Sequence, residues 1–119
     1  MPSDYVRMRE LVERVSALAV DLVGAELAGA DVRPARSALN AALANLKAAG
    51  QILADNPPRS PTECAYAMQK LLERIVDEGY VKPDRAPELL ERAANMVNGR
   101  GFFTRAELKQ RQDAEDLLS

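Results

Sequence analysis

The stretch Ser60-Pro61-Thr62-Glu63-Cys64-Ala65-Tyr66-Ala67-Met68-Gln69-Lys70-Leu71-Leu72-Glu73-Arg74-Ile75 carries a full set of instructions for one helix. Ser60 is spaced to accept a hydrogen bond from the Glu63 N–H while the Glu63 carboxylate reaches back. Pro61 falls at the first helical position, where its missing N–H leaves nothing unpaired. Met68, Leu71, Leu72 and Ile75 follow at steps of three, one and three. That spacing gathers them on one face of an α-helix and would scatter them over both faces of a strand. Gly79 supplies the stop.

The same grammar extends in both directions. Downstream, Asp84 is expected to cap a fourth helix, whose face is Leu89, Leu90, Ala93, Met96 and Val97 and whose end is Gly99. Thr104-Arg105-Ala106-Glu107 repeats the capping pattern and opens a fifth helix that runs close to Ser119. Upstream, Asn56-Pro57-Pro58-Arg59 stops a second helix, because a residue before proline is pushed out of the α region. That helix starts at Pro34 and carries Leu39, Leu43, Leu46 and Leu53 on one stripe, interrupted at Gly50. The first helix begins after Ser3, with Asp4 suiting the positive end of its dipole. Met8, Leu11, Val15, Leu18 and Leu22 form its stripe, widened by Val12, Ala19 and Val23, and it ends near Ala28 between Gly24 and Gly29.

No alternating run of strand length is left. The expectation is an all-α fold, a compact bundle of about five helices in a single domain spanning 1–119. An N-terminal helical hairpin (4–55) and three C-terminal helices (60–118) meet at a Pro-rich joint (56–59). Each part is about half a typical domain, so one shared core is expected. Composition agrees: 20 Ala and 15 Leu stand against 13 Val, Ile and Thr, and β-branched side chains lose more freedom on a helix.

Composition also narrows the chemistry. There is no histidine, the commonest general base and metal ligand near neutral pH, and a single cysteine, which excludes a disulfide framework or a Cys-cluster zinc site. Cys64 lies in a first helical turn but has no histidine to activate it, so it reads as a structural thiol. The acids Asp77, Glu78, Glu88 and Glu91 sit at helical pairing distance from Arg74, Arg85 and Arg92 and read as surface ion pairs. Gly99-Arg100-Gly101 is too short for a phosphate-binding glycine loop and follows no strand. The expectation is a protein without catalytic residues, cofactor or metal.

Residues 1–7 bring charges where a secretory signal would be apolar, and the longest uncharged run, Ser37 to Leu46, is ten residues. About 20 apolar residues are needed to cross a bilayer. These features predict a soluble, cytoplasmic protein with no membrane contact. With 16 basic and 18 acidic residues the net charge is −2, so any attraction to nucleic acid must be local.

Two segments point to partners. Between Pro34 and Ala54 only Arg36 and Lys47 are charged, and Ala35, Ala38, Ala41, Ala42, Ala44, Ala48 and Ala49 fill much of the rest. A half-wet helix normally carries a charged stripe opposite its apolar one. Burial on more than one side is therefore expected, either inside its own fold or against another chain. Leu39, Leu43 and Leu46, flanked by Arg36 and Lys47, and the outer side of the first helix are the candidate protein interface. Residues 92–112 form the second segment: Arg92, Arg100, Arg105, Lys109 and Arg111 face one acid, Glu107, a local charge of +4. Arg100, Phe102, Arg105, Lys109 and Arg111 are the candidate nucleic-acid residues, since arginines beside rings on a glycine loop can hold phosphates and stack bases. Phe102 and Phe103 can equally staple a helix start onto the core. The function expected first is a non-enzymatic helical interaction subunit or adaptor, bound to a protein partner or to copies of itself. The alternatives are a small subunit of a nucleoprotein complex that touches nucleic acid, and an inhibitor that blocks a partner's surface.

Overall fold

A computed structural model describes residues 4–53 and 60–118, apart from the side chains at 51–53 and 118. The Pro-rich joint at 56–59, the side chain of Leu53 and the residues before Asp4 lie outside the described residues. The described residues form five helices: α1 (Asp4–Leu27), α2 (Arg33–Leu53), α3 (Pro61–Asp77), α4 (Ala86–Val97) and α5 (Arg105–Leu118). No strand occurs among the described residues. The fold is an all-α bundle. α1 packs on α2 and α5, α2 on α3, and α3 on α4.

Each helix follows from its local sequence. On α1 the buried residues are Met8, Val12, Val15, Ser16, Ala19, Leu22 and Val23, with Leu11 and Leu18 half-buried beside them. Ser16 is the polar exception in this stripe, and its hydroxyl donates to the Val12 carbonyl at 2.9 Å, so it enters the core satisfied. Ser60 caps α3 by accepting from the Glu63 N–H at 3.1 Å. Thr104 and Glu107 complete the reciprocal box on α5, with Glu107 N–H to Thr104 Oγ1 at 3.1 Å and Thr104 N–H to Glu107 Oε1 at 3.0 Å. The start of α4 differs from expectation. Asp84 does not cap it; Arg85 stands at the N-cap in a helical conformation with no side-chain cap bond. The chain already turns at 82–86, where the Arg85 and Ala86 N–H groups donate to the Lys82 carbonyl, so the extended geometry that a capping aspartate needs never forms.

α1, α3 and α4 end alike. In α4 the Gly99 N–H bonds to the Met96 carbonyl at 3.1 Å and the Arg100 N–H to the Asn95 carbonyl at 2.9 Å. That pattern needs a left-handed residue, and Gly99 has φ +77°. Gly101 is left-handed as well (φ +83°), and a Cβ there would stand 3.0 Å from the Phe103 ring. These two glycines direct Phe102 and Phe103 back into the protein.

One cluster of buried residues draws on both halves of the chain: Met8, Val15 and Leu22 of α1, Leu39 and Leu46 of α2, Met68 and Ile75 of α3, Leu89 of α4, and the two phenylalanines. Gly50, which interrupts the α2 stripe, packs tightly against α3: a Cβ there would lie 2.6 Å from Met68 Sδ. By contrast a Cβ at Gly24, exposed on α1, would meet nothing. Alanine outranks glycine inside a helix by about 1 kcal/mol, whereas overpacking a core costs about 1–3 kcal/mol. Gly24→Ala is therefore expected to raise unfolding stability by about 0.5–1 kcal/mol and Gly50→Ala to lower it by about 1 kcal/mol, read from urea denaturation. In a Met68→Ala background the sign of Gly50→Ala should reverse.

Candidate functional site

Of the five basic residues in 92–112, the structure turns two inward. Arg92, counted by sequence with the surface cations, is 0% exposed. Its Nη1 donates to the Phe102 carbonyl at 3.0 Å and to Glu107 Oε1 at 2.6 Å; its Nη2 donates to Glu107 Oε2 at 2.9 Å and to Glu88 Oε1 at 3.0 Å. Only its Nε lacks a partner. This is a buried clamp joining α4, the 98–104 loop and the first turn of α5, where a surface pair with Glu88 was expected. Glu107 serves two roles, completing the α5 capping box and neutralising Arg92. Asn95 adds a bond from Nδ2 to the Phe103 carbonyl at 2.8 Å.

Arg111 is the second cation held in place. Its Nε donates to Glu26 of α1 at 2.9 Å and its guanidinium lies 4.3 Å from the Phe103 ring centre. Phe102 is 1% exposed, with the Arg92 guanidinium 6.0 Å from its ring centre. No base can stack on it, which corrects its place among the nucleic-acid candidates: both rings staple α5 to the core. Arg100, Arg105 and Lys109 stay exposed. The Arg105 N–H donates to Glu91 Oε1 at 2.8 Å, which sets a carboxylate at the foot of this basic surface.

The candidate protein interface is rearranged more deeply. Leu39 and Leu46 are 4% and 0% exposed, and Leu43 packs half-buried against the same core. Leu39 and Leu46 form the inward face of α2 and are not available to a partner, and Leu43 keeps only a partly exposed edge. Nor is α2 covered on its other side by the described residues of this chain. Ser37, Asn40, Ala41, Ala44, Asn45 and Ala48 are exposed. Ser37, Ala41, Ala44 and Ala48 step by four, three and four, so they form one seam along the helix. Arg36 and Lys47, expected beside the leucine stripe, are exposed on one flank of this small-residue seam. They lie eleven residues apart, about 16 Å along the axis. Arg33, a third cation on α2, is already engaged: its Nε and Nη2 donate to Asp31 at 3.0 Å each, which holds the Asp31 carboxyl below the usual carboxylate range. α2 contains no acidic residue. On the outer side of α1, Val20 and Leu27 are 53% and 48% exposed.

Elsewhere the charges pair. Arg85 bonds Glu13 at 2.8 Å and also contacts Glu88, and the Glu13 hydrogen bond raises the Arg85 pKa further. Arg74 pairs with Glu78 at 3.3 Å on the surface. Cys64 is a free, half-buried thiol on the first turn of α3. Among the described residues no three acidic or cysteine side chains converge on a metal position, and no helix is long and apolar enough to cross a membrane.

Set against protein-family models, curated proteins and solved structures, the chain matches none.

Removing one member of a buried ion pair strands the other charge and costs about 3–5 kcal/mol. Arg92→Met should lower stability by about 3 kcal/mol in urea denaturation. Adding Glu107→Gln should recover part of that loss, because the stranded carboxylate is gone. Strictly additive losses would show that the two side chains do not act as a pair.

Proposed function

We propose that the protein is a non-enzymatic helical interaction subunit whose outward α2 face receives a helix of a partner protein. The observation that carries this reading is the seam Ser37–Ala41–Ala44–Ala48, small, uncharged and exposed on a helix without a single acid. Ordinary solvated helix faces are charged. Small side chains instead let a second helix approach to about 8 Å, the close end of the packing range. Asn40 and Asn45 beside the seam offer hydrogen bonds to that helix. Arg36 and Lys47 favour a partner with acids about three turns apart along its facing edge.

The test is the mass of the intact assembly purified from source cells. A stoichiometric complex is expected, which Ala44→Arg dissociates while the protein's helicity and melting temperature stay unchanged. Recovery of the chain as a monomer, or a complex indifferent to Ala44→Arg, would overturn the reading.

A second reading, contact with nucleic acid, keeps Arg100, Arg105 and Lys109, which are exposed and whose side chains pair with no carboxylate among the described residues. Three phosphate contacts on a single strand correspond to a log–log salt slope of about −2. On this reading an oligonucleotide titration should show that slope, and Arg105→Glu with Lys109→Glu should flatten it. Absence of binding at low salt disposes of it.

A further inference from the structure

A trough of about 890 Å³ lies where the end of α3, the turn at 79–85 and the start of α4 meet the N-terminal half of α1. Val76, Tyr80, Val81, Ala86 and Leu90 give it apolar walls. Two charged residues line it, Arg9 and Lys82, both cations, and neither side chain pairs with a described residue. A smaller crevice of about 400 Å³ continues from it along Arg9, Tyr80, Val81 and Lys82 and adds Glu13, Asp84 and Arg85. There Glu13 is held by Arg85 at 2.8 Å, an arginine that Glu88 also contacts, and Asp84 is a further acid beside the two cations.

The walls are fixed before anything binds. The Tyr80 ring meets Tyr5 of α1 with centres 5.5 Å apart, and the Tyr80 N–H closes the end of α3 on the Ile75 carbonyl at 3.0 Å. The rim is open: Gly79, Lys82, Pro83 and Pro87 are exposed. Small ligands held by proteins bury most of their surface in closed pockets. An open trough with rigid apolar walls and flanking charges instead suits an extended segment anchored by one side chain.

We infer that this trough binds a short acidic–apolar segment of a partner protein. A leucine- or phenylalanine-type side chain lies against Val76, Val81 and Leu90, and carboxylates face Arg9 and Lys82. The occupant follows from charge complementarity, since the charged residues lining the trough, Arg9 and Lys82, are both cations. The inference is independent of the α2 face and holds whether or not that face has a partner.

The probe is a pool of decapeptides with Asp or Glu alternating with Leu, Ile or Phe, added to the isotope-labelled full-length protein and followed by methyl NMR. Signals of Val76, Val81 and Leu90 are expected to shift. Lys82→Glu, on an exposed turn, should weaken the response about tenfold, as expected for losing one close charge contact. Arg9→Glu should act in the same direction, and both variants should keep the parent's spectrum elsewhere. The inference fails if the pool leaves these signals unmoved at millimolar concentration, or if a pool with Lys in place of the acids binds equally. It also fails if the shifts centre on α2, or if laurate moves the signals where the peptides do not, since the trough would then take a free amphiphile.

Discussion

The buried pair between Arg92 and Glu107 is the constraint to which the C-terminal part of the fold is tied. α5 brings little apolar surface inward, with Ala114 buried and Leu108 half-buried. Hydrophobic burial alone would fix neither its position nor its rotation. The Arg92 fork does both, because its bonds to Glu107, Glu88 and the Phe102 carbonyl cannot be met together in any other register. A buried ion pair adds little net stability over a well-packed apolar substitute. Its effect is specificity of position, since a slip of one residue would strand a charge at a cost comparable to much of a small domain's ~5–15 kcal/mol stability. Arg111, held between Glu26 and the Phe103 ring, repeats the device at the contact with α1.

The helical signals were legible in sequence because they are local. Ser60 accepts from the Glu63 N–H, Thr104 and Glu107 bond reciprocally, and each contact closes within four residues, while the α1 stripe needs only the helical period. Asp84 misled for the complementary reason: whether an aspartate caps depends on the backbone before it, and the turn at 82–86 closes on the Lys82 carbonyl and is tied to α1 through Arg85 and Glu13. The seam on α2 was half legible. Missing acids and abundant alanine marked the helix as unusual, but the leucines drew attention to the side that the core claims. Which side faces out depends on where α1 and α3 lie, and no spacing within α2 records that.

Residues 92–112 show a sharper limit. Sequence sums their charges, while the fold sorts them by depth. Arg92 and Glu107, fifteen residues apart, cancel out of sight of solvent, and Arg111 is matched by Glu26 eighty-five residues away. The spacing of Glu88 and Arg92 did announce a pair, but not its burial, which depends on Phe102 closing over it. The trough beside Tyr80 left no trace in the pattern at all. Its walls come from a helix end, a turn and the first turn of the next helix, with Arg9 supplied from far upstream. Nothing periodic links them.

Sorting by depth also changes what the net charge of −2 means for association. The cations locked into the fold at positions 85, 92 and 111 take acids with them. Arg36, Lys47, Arg9 and Lys82 have no such partner among the described residues, and each borders a small-residue or apolar surface. A charge at the edge of a desolvating surface acts chiefly on approach and on choice of partner, raising the encounter rate for an oppositely charged chain and penalising a like one. A protein that is mildly acidic overall can in this way repel copies of itself at long range and still accept acidic partner segments at two short-range surfaces. On the proposed function, the placement of these four side chains selects for acidic partner segments.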